Sequence, residues 1–125
     1  NFTGTIQPHS SAIIWFQSSS SRLTAADFNA KFGTNLTEGE NLIIIKASKP
    51  IPTAKPVQLE LLLGTSVINR IWYNWGENSS EVKPDKAITF EYNHLFSQTS
   101  VQTSNSAAPT PGNVSSSQVP TAVTK

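Results

Sequence analysis

The chain of 125 residues contains no cysteine. That excludes disulfides, thiolate zinc sites and thiol catalysis. It leaves the compartment open, because exported bacterial proteins often lack cysteine too. Charge is scarce: charged residues are 14% of the chain and the formal net charge is +1. Non-specific nucleic-acid binding rests on many Lys and Arg contacts to phosphate, so no direct nucleic-acid binding is expected. The densest basic group, Lys46, Lys49 and Lys55, has Glu38, Glu40 and Glu60 close by in sequence and reads as solvated surface. Long apolar runs are missing as well. The longest, such as 12–16 and 42–45, fall far short of the roughly 20 residues of a membrane-spanning helix. Residues 1–7 have neither the basic start nor the apolar core of a signal peptide. An export signal is therefore expected upstream or already removed.

Catalytic patterns are equally sparse. The six glycines are isolated, so no glycine-rich phosphate cradle exists, and there is no G-x-S-x-G elbow. His9 lies in a turn and His94 at a strand end, neither with a partner at metal-ligand spacing. Glu38, Glu40, Glu60 and Glu91 remain formal candidates for a glycosidase-type carboxylate pair. Glu60 and Glu91, however, sit in alternating strands where an outward acid is routine. No cofactor, metal or catalytic residue is expected.

What the chain does have is a short helix with both ends written locally, over 23–36. Thr24 stands at the N-cap, Asp27 three residues on completes a capping box, and Leu23 with Phe28 forms a hydrophobic staple. Gly33 is placed to end the helix in the left-handed region, and Phe28 with Phe32 gives it one apolar face. Nearly everything else reads as strand or loop. The run Ala12-Ile13-Ile14-Trp15-Phe16 suits a strand covered on both faces or at a sheet centre. A second strand covers 41–47, and Pro50, Pro52 and Pro56 keep 48–56 out of a ladder. Segments 57–63 and 67–75 form a hairpin turning at Gly64-Thr65-Ser66. Ile88, Phe90 and Tyr92 alternate with Thr89 and Glu91, and a last short strand lies within 95–103.

From Ser104 the pattern stops. The rest is rich in Ser, Thr and Pro, with Pro109, Pro111, Gly112 and Pro120 and one charge, which reads as a closing segment and linker over 104–125, with 115–125 expected to be mobile. Short strands with turn signals about every ten residues predict an all-β sandwich with one inserted helix, at 1–103. Along 67–75, alternation groups Tyr73 and Trp75 with Val67 and Ile71, which reads as core. Trp72 falls on the other face beside Arg70. Arg70, Trp72 and Trp75 are the candidate ligand or partner contacts. Sequons at Asn1, Asn35, Asn78 and Asn113 arise easily in a chain that is about a quarter Ser and Thr, and carry no weight.

Three segments together resemble the lamin tail domain, an immunoglobulin-like module of nuclear lamins and many secreted bacterial proteins. Ile6-Gln7-Pro8 before Ala12 to Phe16 looks like that family's proline-led turn into a central strand. Leu59-Glu60-Leu61-Leu62 followed by Val67-Ile68-Asn69 and Ile71-Trp72-Tyr73 is similar to its hairpin. Pro109-Thr110-Pro111-Gly112-Asn113 matches its closing signature. Asp27-Phe28-Asn29 with Phe32-Gly33-Thr34-Asn35-Leu36 looks like copies that accompany exported nucleases and phosphoesterases of Gram-positive bacteria. The resemblance implies an immunoglobulin-like sandwich whose first strands would precede Asn1, leaving apolar edges uncovered here. It also implies an extracellular or cell-surface accessory module. Its partners would be neighbouring domains such as a nuclease or phosphoesterase, or a surface protein or polysaccharide. The rival reading is a carbohydrate-binding domain using Trp72 and Trp75; a third is a hydrolase fragment using Glu60 or Glu91.

Overall fold

A computed structural model describes residues 10–49, 51–76, 80–92 and 98–118. The fold is dominated by β-strands with one short α-helix inserted between them. The chain divides into two compact units, Asn1–Ile51 with Thr110–Val114, and Pro52–Pro109 with Ser115–Lys125.

In the first unit, β1 (Ile13–Ser18), α1 (Ala25–Phe32) and β2 (Leu42–Ala47) follow in order. The strands pair in parallel, from Ile13↔Leu42 to Ser18↔Ala47. A parallel pair needs a long crossover, and the helix lies within it. Its ends are as the sequence specifies. Thr24 caps it in extended conformation, its amide donates to Asp27 Oδ2 at 2.7 Å, and Gly33 closes it at φ 65°. The Trp15 and Phe28 ring centroids lie 5.1 Å apart, and those of Phe28 and Phe32 4.7 Å. Among the described residues of this unit, Phe28, Leu42 and Ile43 are the buried apolar ones. Leu23, expected to staple the helix start, stays largely exposed.

One expectation fails at β1. Its unbroken apolar run predicted cover on both faces or a place at a sheet centre, yet among the described residues β2 is its one ladder partner, and Ile14 is 38% and Phe16 43% exposed. A two-stranded sheet with one helix beside it shields the side of Trp15 alone. Polar side chains tie down the loops. Buried Gln17 donates to the Leu23 carbonyl at 3.2 Å and accepts from Lys46 Nζ, which also donates to the Ser21 carbonyl at 2.7 Å. Asn29 brackets Leu36, donating to its carbonyl and accepting from its amide, each at 2.9 Å.

In the second unit, β3 (Val57–Leu63) and β4 (Ser66–Tyr73) form an antiparallel hairpin closed through Gly64 at φ 63°. The register steps from Leu61↔Asn69 to Leu62↔Val67, so Ile68 is skipped and the simple alternation of β4 breaks there. β5 (Ala87–Tyr92) and β6 (Ser100–Ala107) form a second antiparallel pair, and Asn69 Nδ2 of β4 donates to Ser100 Oγ of β6 at 2.9 Å. β6 continues past the point where hydrophobic alternation ends, because polar pairing sustains it. Thr103 Oγ1 lies 3.0 Å from Thr89 Oγ1, and Lys83 Nζ donates to Asn105 at 3.2 Å. Ser116–Gln118, expected within a mobile linker, form a 3₁₀ turn whose Gln118 Nε2 donates to the Phe90 carbonyl at 3.2 Å. Residues 119–125 of that linker lie outside the described residues.

Candidate interaction surface

The three candidate contacts separate into two environments. Trp72 pairs across the hairpin with Gln58, and Arg70 with Glu60. Their side chains form one polar chain. Trp72 Nε1 donates to Gln58 Oε1 at 2.8 Å, Gln58 Nε2 donates to Glu60 Oε1 at 2.8 Å, and Arg70 Nε donates to the same oxygen at 2.7 Å. Trp72 and Arg70 are both half-buried. The indole N–H of Trp72 is therefore already engaged, and the charge of Arg70 is matched within the hairpin. These two residues brace the sheet, as cross-strand pairs do.

Trp75 stands apart. Strand alternation assigned it to the core with Tyr73, but it is 69% exposed, while Tyr73 is buried with its hydroxyl donating to the Pro52 carbonyl at 3.0 Å. Burial pushes the Tyr73 hydroxyl above its ordinary value of 10.0. The residue between them is the reason. Asn74 ends β4 in the left-handed region at φ 54°, a conformation Asn tolerates better than most residues. The chain turns there, and Trp75 leaves the strand's alternation.

Asn74 is fully buried, a feature that hydrophobic pattern does not signal. Its Nδ2 donates to the Thr53 carbonyl at 2.9 Å and the Lys55 carbonyl at 3.2 Å, and its Oδ1 accepts from the Glu81 amide at 2.9 Å. The Asn74 amide in turn donates to Glu81 Oε2, and Gln102 Nε2 donates to Glu81 Oε1 at 2.7 Å. Asn74, Glu81 and Gln102 thus fasten together the 52–56 loop, the end of β4 and strand β6. The local clue was a polar Asn between two aromatic residues and ahead of Gly76.

The other surface feature is apolar. Along β3 Leu59, Leu61, Leu62 and Leu63 are all exposed, reaching 75% at Leu63, and Ile68 of β4 joins them. Scattered exposed leucines are ordinary, but Leu59, Leu61 and Leu63 on one face of an edge strand, with Leu62 on the other, make the kind of surface that marks an interaction site. Among the described residues no group of three or more His, Cys, Asp or Glu side chains is placed to hold a metal ion. His9 and His94 lie outside the described residues. Glu60 is committed to Arg70. No protein-family model, curated protein or solved structure matches the chain.

Proposed function

We propose that the chain is a non-catalytic interaction module of lamin-tail type, carried by an exported multidomain bacterial protein and serving to position or attach a neighbouring hydrolase at the cell surface. The single observation that carries the interaction role is the exposed leucines of edge strand β3, Leu59, Leu61 and Leu63 on one face and Leu62 on the other, with exposed Ile68 on β4. A strand that spends four leucines on its surface is built to be covered. Of the candidate acids, Glu60 supports the non-catalytic part, since it is held by Arg70 and braces the hairpin. The motifs of the proline-led turn, the hairpin and the Pro111-Gly112 closure support the family and the exported setting.

The test is retention. A fusion of the full chain to a fluorescent reporter is mixed with cell envelopes of a Gram-positive bacterium and sedimented. The fusion is expected to co-sediment, and Leu61→Lys with Leu63→Lys to reduce the bound fraction at least tenfold. Absence of wild-type retention, or retention indifferent to both lysines, overturns the reading.

A second reading, carbohydrate binding, has one observation of its own: Trp75 offers an exposed indole face next to a fully buried, hydrogen-bonded Asn74. Here Trp75→Ala is expected to abolish retention on insoluble polysaccharide while Trp72→Ala leaves it. The reverse order of effects counts against this assignment.

A further inference from the structure

Among the described residues strand β3 has one ladder partner, β4. Among the described residues no other backbone hydrogen bond reaches Val57–Leu63. Edge strands in soluble proteins are usually guarded by a proline, a lysine, an inward charge or a bulge. β3 reads VQLELLL and has no proline or lysine, and the residue skipped by the ladder is Ile68 on β4. Its one charge, Glu60, is neutralised in cis by Arg70 at 2.7 Å. A charged partner therefore gains nothing at this edge, and a near-neutral chain of net charge +1 does not repel its own copy.

The leucine pattern is self-complementary. A two-fold axis normal to the sheet pairs side chains of the same face. An axis at Glu60 sets the two carboxylates opposite each other, about 5 Å apart, where each Arg70 reaches only the Glu60 of its own copy and the repulsion between copies is only partly offset. An axis at Leu61 sets Leu59 opposite Leu63 of the second copy, Leu61 opposite itself, and Glu60 opposite Leu62. Every residue from 59 to 63 then has a partner. An axis at Leu62 runs Leu59 off the strand end.

We propose that β3 pairs antiparallel with β3 of a second copy of this chain about a two-fold axis at Leu61, giving a continuous four-stranded sheet. The inference rests on the hairpin being the interaction surface and names its occupant. Two tethered domains would then be presented together, and two weak attachments to an envelope would act as one bivalent attachment.

Because the chain has no cysteine, single cysteines report the register directly. Opposed Cα atoms in an antiparallel pair lie about 4.5–5.5 Å apart, within disulfide range. Under oxidised glutathione, full-chain Leu61→Cys is expected to form a covalent dimer. Leu59→Cys and Leu63→Cys are expected to cross-link when mixed and far more slowly when alone. Light scattering of the wild type is expected to give a dimer at tens of micromolar, and Leu61→Lys a monomer. Leu61 is 51% exposed, so circular dichroism of these variants should match the wild type; should Leu61→Cys misfold, the mixed pair carries the same test. A monomeric wild type, no cross-link at Leu61, or equal cross-linking at a remote control such as Thr103→Cys each overturns the pairing. Lysine variants that lose envelope retention without any cysteine cross-link keep the interaction reading and reject self-pairing. Cross-linking with retention unchanged does the opposite.

Discussion

Asn74 and Glu81 hold each other in both directions: the Glu81 amide donates to Asn74 Oδ1 at 2.9 Å, and the Asn74 amide donates to the Glu81 carboxylate. This reciprocal pair stabilises a left-handed residue in a fully buried position. Two separate costs are offset there, the φ 54° backbone and the desolvation of an amide side chain. Substitution separates them. Asn74→Ala strands the Thr53 and Lys55 carbonyls and the Glu81 amide and also strains the backbone, an expected loss of about 3 kcal/mol. Asn74→Gly removes the same side chain but accepts the conformation, so it should recover about 1 kcal/mol of that loss. Urea denaturation of the three proteins checks it. Equal losses would mean that the backbone geometry contributes nothing.

The two tryptophans beside Asn74 should behave oppositely. Trp75 is 69% exposed, so Trp75→Ala should change stability by less than about 0.5 kcal/mol. Trp72 is half-buried and its indole donates to Gln58, so Trp72→Ala should cost about 2 kcal/mol through lost packing and a stranded partner. Iodide should quench Trp75 in the folded protein far more than Trp72 or Trp15, which single-Trp variants resolve. A destabilised Trp75→Ala protein with an unaffected Trp72→Ala protein would reverse the assignment.

Features that depend on neighbours in sequence were legible, and features that depend on distant partners were not. Thr24, Asp27 and Gly33 define α1 within a dozen residues, and the helix forms between them. The hairpin was equally local, with its turn at Gly64. Trp75 departs from the face that its spacing predicts because period-two alternation holds only while the backbone stays extended, and Asn74 interrupts it. The apolar run of β1 records what a strand can bury and says nothing of what is there to cover it. The parallel pairing of β1 with β2 joins residues 29 positions apart, from Ile13↔Leu42 onward, and left no local mark. β6 outruns its hydrophobic pattern because Thr103 and Asn105 sustain it by hydrogen bonds that such a pattern does not register. Of the candidate site, the exposed leucines were visible as residues, but not as an edge.

The capping box makes part of the stability of α1 depend on acid. The Thr24 amide and hydroxyl both donate to Asp27, at 2.7 and 2.8 Å, and hold its carboxyl below the ordinary value of 3.8. For a depressed carboxylate the stabilising contribution is complete above the unfolded value and disappears as pH falls through the lower folded one. The difference in melting temperature between wild type and Asp27→Asn should therefore be constant from neutral pH down towards 3.8 and close below it. A difference that persists unchanged in strong acid would assign the effect to packing of the side chain, independent of its charge.

Alkali should act through Tyr73. Its hydroxyl donates to the Pro52 carbonyl at 3.0 Å, and burial raises its ionisation above 10.0. The neutral phenol is the form the fold accommodates, so its contribution is intact below pH 10.0 and is lost as pH rises through the folded value. Wild type should thus weaken above pH 10, with phenolate absorbance from Tyr73 appearing in step with unfolding. Tyr73→Phe removes the titration at the expense of one hydrogen bond, about 1 kcal/mol at neutral pH. Its stability should then fall less steeply between pH 10 and 12, so that the two denaturation curves converge in alkali. Parallel curves across that interval would place the alkaline sensitivity elsewhere in the chain.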